Sequence, residues 1–390
     1  MAILTYEDLR FNEKTNQLEV RFMDRFYLDL DKKELEEIGK FKVISEDKIE
    51  FEGKEAKVKR LFNHLISSRI ETSLKTKDGQ RAIYVHEGPL IGGQAFGILD
   101  SDTNCIELRP ITGCNLNCVF CSVDEKLKKG PCYVVDVDLL IAEFKKLADK
   151  KSHPLYVHIS AQGEPLFYSK IVELVSELSK IEKVKMISVG TNGTLLTEEV
   201  VDRLRKGGLT RVNLSINAID PKVAQKLAGS KEYDIGRIMD IAKYIKSVGI
   251  DLVVAPVYLQ EMNPDEIGKI IEFAKKLGCK VGIQNFLEYP YGKKPVKQLG
   301  WDRFYDVLGK LEKEYKVKLI DPELGFEIKT DKALKKPFRK GQQVLAEQIY
   351  EGYATAGDRL IALQGRMTKK KQKIKLIRDK HNIYIGAPLA

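Results

Sequence analysis

Between about Asp100 and Asp321 short apolar runs alternate with amphipathic helices six times, and no other feature of the 390 residues constrains the fold as tightly. A strand, a helix and a second strand in succession require a crossover, so the strands run parallel and the helices cover the sheet. Strands read at Cys105 to Pro110, Tyr156 to Ser160, Lys185 to Val189, Arg211 to Ile216, Leu252 to Val257 and Val281 to Asn285. Between them, Leu139 to Ala148, Lys170 to Ser179, Glu198 to Lys206, Ile235 to Ser247 and Asp265 to Leu277 place aliphatics three and four apart, and Asn263-Pro264 starts the last of these. Trp301 to Tyr315 supplies a sixth helix. Six units are two short of a closed eightfold barrel. The expected class is α/β, a partial (β/α)6 TIM-like barrel over residues 100–321.

The flanks differ. Before the barrel, strand-like runs at Gln17 to Phe22, Arg25 to Leu30, Phe41 to Ile44 and Ala82 to His86, with a helix near Glu55 to Ser68, suggest a small α+β domain over residues 1–99. The Gly/Pro-rich stretch Gly88 to Gly97 reads as its boundary. After it, residues 334–390 carry 13 Lys+Arg against 4 Asp+Glu. Strands there, at Gln343 to Tyr350, Asp358 to Leu363, Lys373 to Arg378 and Asn382 to Ile385, suggest a small basic β domain. With 43% hydrophobic and 31% charged residues the chain buries a real core. No apolar stretch approaches the ~20 residues of a membrane span, and the start lacks the pattern of a secretory signal. A cytoplasmic protein with no membrane partner is expected. The net charge of +10 suits nucleic acid, and equally the charge networks of heat-stable proteins.

Three of the six cysteines fall within eight residues, Cys114-Asn115-Leu116-Asn117-Cys118-Val119-Phe120-Cys121, directly after the first strand, where a barrel keeps its chemistry. Cys105, Cys132 and Cys279 are scattered, a poor disulfide framework for a chain of this length. Thiolates are the preferred ligands of iron–sulfur clusters, and a cubane held by three of them leaves one iron open. The alternative is a structural zinc completed by Cys132 or a histidine, which would make the chain a zinc-stabilised RNA-binding protein. Cys105 and Cys279 read as buried fillers. Cys132 lies in the loop after the motif and is weighed against a place in the site.

The C-x-x-x-C-x-x-C spacing, its place after strand one and the aromatic Phe120 resemble the radical S-adenosylmethionine superfamily, over roughly residues 103–315. That resemblance implies a [4Fe-4S] cluster on Cys114, Cys118 and Cys121 that chelates S-adenosylmethionine and cleaves it reductively to a 5′-deoxyadenosyl radical. It implies an electron donor such as ferredoxin or flavodoxin. Ala161-Gln162-Gly163-Glu164-Pro165 resembles the family's Gly-Gly-Glu segment, with Gln162 in place of the first glycine. By the same resemblance Phe120, Gln162, Gly163, Glu164, Asn192, Ser215 and Asn217 are cofactor-binding candidates. Val253 to Tyr258 with Gln260 corresponds loosely to the segment along the adenine. His158 alternates within strand two as a core residue does. Gln284 to Tyr289, at the end of strand six, is polar and aromatic enough to touch a substrate; Lys293 and Lys294 beyond it read equally as a basic turn.

The terminal module, with Gly341-Gln342-Gln343-Val344, Ala356-Gly357-Asp358-Arg359-Leu360 and Asn382-Ile383-Tyr384-Ile385-Gly386, resembles the TRAM domain, a small RNA-binding β-barrel. The resemblance implies that Lys369 to Lys373 face phosphates and that Tyr350, Tyr353 and Tyr384 stack on bases. A tRNA or other RNA nucleobase is then the expected substrate. A peptide, protein or small metabolite is the alternative.

Overall fold

The structure, a computed structural model, describes residues 1–123, 130–321 and 326–389. It divides into two compact units, Met1–Glu87 with Gly130–Asp136, and the described residues of Gly88–Lys129 with Val137–Ala390. The division at Glu87 precedes the boundary expected at residue 99. The reason is hydrogen bonding: Gly97–Asp100 pairs antiparallel with the first barrel strand, and Ile98 N donates to Leu90 O at 2.9 Å. The glycine-rich stretch is therefore built into the second unit.

In the first unit Leu9–Glu13, Gln17–Phe22, Phe26–Asp31 and Lys75–Thr76 form an antiparallel sheet, and Ala2–Thr5, Phe41–Ser45 and Lys48–Phe51 form another. The helix Glu55–Ser73 buries Val58, Phe62 and Ile66. Phe62 meets Phe51 at 5.2 Å and Phe11 at 6.0 Å between ring centroids, an aromatic core of the tilted kind. Cys132, placed by sequence in a loop, lies in the strand Cys132–Val135, which pairs parallel with Ala82–Val85; its side chain is buried there.

The second unit contains the parallel sheet. Cys105–Arg109, Leu155–Ile159, Val184–Thr191, Arg211–Leu214, Asp251–Val254 and Lys280–Val281 lie in that order, with Gly97–Asp100 on the edge beyond the first. All six strands and six helices of the expected partial barrel are present. A further helix, Pro221–Ala228, was not anticipated, although Asp220 caps it, Pro221 fills its first turn and Gly229 ends it at φ +64°. Beneath the sheet edge, buried Lys151 donates to Asp100 Oδ1 at 2.8 Å, Thr103 O at 2.8 Å and Asp331 O at 2.7 Å. Among the described residues no helix is long and apolar enough to cross a membrane.

The C-terminal strands Gln343–Tyr350, Tyr353–Ala356, Arg359–Leu363, Lys371–Arg378 and Ile385–Pro388 close into a barrel, the fourth pairing with the first and fifth. Its core holds Val344, Ala354, Ile361, Ile374, Leu376 and Tyr384. This corrects the expectation of three base-stacking tyrosines. Tyr384 is fully buried, and Tyr353 packs on Phe96 at 4.7 Å while its hydroxyl accepts a hydrogen bond from Ala95 N. Tyr384 belongs to the barrel's own core, whereas Tyr353, alternating with the core residues Ala354 and Ala356, faces out of the barrel and is covered by Phe96. Tyr350 is half-buried, with Phe96 at its edge.

Candidate active site

The loops after the C-terminal ends of the parallel strands surround a cavity of about 440 Å³, a size that suits a cofactor or small substrate. Cys114, Cys118 and Cys121 line it together. Their loop is held through its backbone. Asn117 N donates to Ala228 O at 3.2 Å and Val119 N to Leu227 O at 3.0 Å, so the last carbonyls of helix Pro221–Ala228 find partners in it. A Cβ on Gly229 would stand 2.1 Å from Asn117 O, and only glycine permits that approach. From the other side Lys293 Nζ donates to Asn117 O at 3.1 Å and Cys118 O at 3.0 Å, and Lys293 N to Cys121 O at 2.9 Å. Sequence left Lys293 as a basic turn; the structure makes it a clamp on the cysteine loop.

Cys114 Sγ accepts from Leu116 N at 3.4 Å and from Asn192 Nδ2 at 3.9 Å. Burial pushes the thiols of Cys114 and Cys118 up to about 12, with the Lys293 ammonium opposing the rise at Cys118. Metal binding has to displace those protons. Among the described residues no three His, Cys, Asp or Glu side chains are gathered tightly enough to share one metal ion. A cubane makes a different demand, one thiolate for each of three irons, and three thiols on one cavity wall fit it.

The strand ends carry the other polar groups. Glu164 is 2% exposed, and its carboxylate accepts from Leu166 N at 3.0 Å, Thr191 Oγ1 at 2.6 Å and Asn192 N at 2.8 Å. Burial raises its pKa against the pull of those donors. A carboxylate has roughly four acceptor sites, so about one remains for a ligand, and Glu164 also fixes the ends of strands two and three against each other. Gly163 sits at φ +152° in a short ladder with Gly113, where a Cβ would be 1.9 Å from Gly113 O. Asn217 Oδ1 accepts from Val257 N at 2.8 Å, joining the ends of strands four and five.

Phe120, Gly163, Glu164, Asn192, Ser215 and Asn217 all line the cavity with the cysteines. Gln162 does not; its side-chain amide donates to Gln94 O at 3.4 Å. Of the fifth-strand segment, Ala255 and Val257 reach the wall, whereas Gln260 donates to Lys297 O. Gln284, Asn285, Phe286, Leu287 and Tyr289 form the far wall. His158 is half-buried, its Nδ1 2.9 Å from Ser188 Oγ. Ser160 lines the cavity and donates to Glu107, which Arg109 Nε also meets at 2.8 Å, so the floor is polar. Ala224, Leu227 and Ala228 were missed with their helix, though the Asp-Pro start and glycine stop signalled it, and Tyr233 with the turn that follows.

A three-thiol loop at the C-terminal mouth of a partial parallel barrel, facing a cofactor-sized cavity, defines a cluster-dependent enzyme of the α/β barrel class. The family profile described as the Radical SAM superfamily matches residues 108–274. Over 366 residues the chain is 38% identical to the uncharacterized protein MJ0103 of Methanocaldococcus jannaschii, covering 83% of this chain and 84% of that one. The chain belongs to the radical SAM superfamily, whose enzymes use a [4Fe-4S] cluster and S-adenosylmethionine and need an electron donor. The GTP 3′,8-cyclase of Aquifex aeolicus is 29% identical over 181 residues, 45% of this chain and 53% of the cyclase. That match spans about half the cyclase's length. Among solved structures, Streptococcus suis SuiB bound to S-adenosylmethionine aligns with 80% of this chain and 70% of its own at a TM-score of 0.47 and 15% identity.

Proposed function

We propose that this radical SAM enzyme holds its cluster on Cys114, Cys118 and Cys121, seats S-adenosylmethionine against Phe120, Gly163, Glu164, Asn192, Ser215 and Asn217, and modifies a nucleobase of an RNA, most readily tRNA. Gln162 contributes its backbone alone to that set. When bound, the cluster and S-adenosylmethionine supply a 5′-deoxyadenosyl radical, and the hard chemistry is theirs. The chain's part is positional. Leu116 N and Asn192 Nδ2 orient the Cys114 sulfur, Glu164 fixes Thr191 and Asn192 at the cavity wall, and Phe286, Leu287 and Tyr289 would exclude water from the far wall. Ser160, held by Glu107, which Arg109 Nε meets, offers a polar group at the cavity wall for the substrate's hydrogen-bonding edge.

The observation that carries the RNA reading is the outer face of the small barrel. On strand Lys371–Arg378, Lys371, Lys373 and Lys375 are exposed while Ile374 and Leu376 are buried, so three cations stand in a row on one face, each about 7 Å from the next. Such a row suits a phosphate backbone, and small five-stranded barrels of the OB type bind oligonucleotides. Residues 100–321 then act as the catalytic module and 334–390 as the recruiting module in a cytoplasmic enzyme. Similarity to GTP 3′,8-cyclase favours one second reading, a free purine nucleotide as substrate. Mass spectrometry of RNA nucleosides from a strain lacking the gene separates the two. One missing modified nucleoside supports RNA; an unchanged profile, with GTP consumed by the reduced enzyme, supports the nucleotide.

A further inference from the structure

The first two parallel strands carry charge on the side where a barrel packs branched aliphatics. Along Cys105–Arg109 and Leu155–Ile159, Ile106, Leu108, Val157 and Ile159 are buried, while the alternate positions hold Glu107, Arg109 and His158. Ser160 continues that alternation, and Ser160 and Gly190 line the cavity, so the charged side is the inner one. Glu107 pairs in register with His158, and His158 with Ser188, which sets the three side by side one row below the cavity wall. The side chains of Glu107 and Arg109 are 30% and 20% exposed, and His158 is half-buried. Because the opposite face of these strands is packed, that exposure opens inward, below Ser160.

The hydrogen bonds decide which atoms are left for a ligand. Glu107 Oε1 accepts from Arg109 Nε at 2.8 Å and from Ser160 Oγ, whereas Oε2 accepts from no described residue. Arg109 Nη1 donates to Gln94 O at 2.6 Å, which leaves Nη2. Ser188 Oγ donates to Val157 O at 3.3 Å, so it accepts from His158 Nδ1 at 2.9 Å, and the lone pair of the neutral ring lies on Nε2. Burial lowers the His158 pKa against the pull of Glu107, which keeps the ring neutral. Burial opposes the Glu107 carboxylate, but the Arg109 charge and the Ser160 hydroxyl outweigh it and hold the pKa below the ordinary value. A Cβ on Gly190 would lie 3.4 Å from His158 Nε2, so the lone pair rests against a wall position that glycine keeps thin. Further along the same row Arg211 Nε donates to Asp251 Oδ2 at 2.6 Å, and those two charges answer each other.

We propose that this inner row is the subsite for the substrate's base, and that the base is guanine. Glu107 Oε2 and His158 Nε2 are two acceptors side by side, with Arg109 Nη2 as a donor next to them. The Watson–Crick edge of guanine answers that pattern with N–H donors at N1 and N2 and an acceptor at O6. Adenine and cytosine carry one donor group on that edge, and uracil a single N–H between two acceptors. The inference rests on the reading of the substrate as a nucleobase; a guanosine of RNA and a free guanine nucleotide present the same edge.

The test uses cluster-loaded enzyme with S-adenosylmethionine bound, in anaerobic equilibrium dialysis against GTP, ITP, which lacks only the N2 amino group, and ATP. Wild-type enzyme should bind GTP about tenfold or more tightly than ITP or ATP. Glu107→Gln should bring the ratio of GTP to ITP affinity close to one. His158→Asn, which keeps the donor to Ser188 Oγ and deletes the Nε2 acceptor, should lower it severalfold. Iron content and S-adenosylmethionine affinity stay at the wild-type level in both. Equal binding of the three nucleotides by the wild type overturns the proposal, and so does a GTP preference that both variants keep. A second arm separates the sources: bulk tRNA from a strain lacking the gene is incubated with the dithionite-reduced enzyme, and its nucleosides are weighed by mass spectrometry. A new nucleoside derived from guanosine places the base in RNA, and one derived from another base overturns the proposal. No new nucleoside refutes the RNA reading alone, and the guanine subsite then stands or falls with the GTP preference.

Discussion

The mouth of the large barrel and the small C-terminal barrel treat their chemistry-bearing residues in opposite ways. At the mouth, residues from six separated stretches of sequence converge, and Glu164, Asn192, Asn217 and Lys293 are all engaged with backbone or with one another. In the small barrel two of the three tyrosines that looked suited to bases are buried, Tyr384 in the core and Tyr353 against Phe96, and the exposed face of the fourth strand carries lysines. A strand that ends at a loop delivers its last residues to the same place whatever its internal register. In a closed small barrel, inside and outside are decided by register, and one residue of slip inverts the assignment.

The sharpest break of this comparison is Cys118→Ala. It should abolish 5′-deoxyadenosine formation and reduce iron from about four per chain, measured after anaerobic reconstitution, with the small barrel's RNA affinity unchanged. Full cleavage by the variant would end the cluster assignment. Next in size is Lys151→Met, which leaves the buried Asp100 carboxylate without its cation and should cost about 3–5 kcal/mol in chemical denaturation. A change within measurement error would mean that Asp100 is already neutral there.

Tyr353→Phe removes the hydroxyl that accepts from Ala95 N and should cost about 1 kcal/mol, with RNA binding untouched. Weaker RNA binding in this variant would return Tyr353 to the recognition surface. The smallest stability effect belongs to K371Q/K373Q/K375Q, within about 0.5 kcal/mol. Its signature is electrostatic: the slope of log affinity for bulk tRNA against log salt should flatten by about two. An unaltered slope would sink the phosphate row.

The parallel sheet was legible because its strands and helices repeat a pattern that packing alone enforces, and Cys114, Cys118 and Cys121 were legible because their spacing is local. Glu164 and Asn192 were both named from their motifs, but not their contact with each other or with Thr191, since Thr191 and Asn192 come from the next strand and only the fold brings them near. Lys293 lies 172 residues beyond Cys121, and nothing in its neighbours Gly292 and Lys294 marks it as a clamp. Gln162 was named a cofactor-binding candidate from its motif alone, and the sequence did not show that the two-residue ladder with Thr112 and Gly113 leaves its side chain to Gln94 O. Cys132 could not be placed from sequence, because its strand partner, Ala82–Val85, lies about fifty residues earlier and only the fold returns Gly130–Asp136 to the first unit.

The suspension of the cysteine loop from helix Pro221–Ala228 has a consequence for how the gene can change. Each residue added to or removed from that helix turns its terminal carbonyls by about 100° and moves them about 1.5 Å along the axis. Leu227 O and Ala228 O would then no longer face Asn117 N and Val119 N. Substitutions on the helix's exposed face are cheap, but its length is locked to a loop about a hundred residues upstream in sequence. A natural relative that gains or loses one residue here should carry a compensating change in the cysteine loop, and a designer moving the active site to another barrel must transplant both segments as one part.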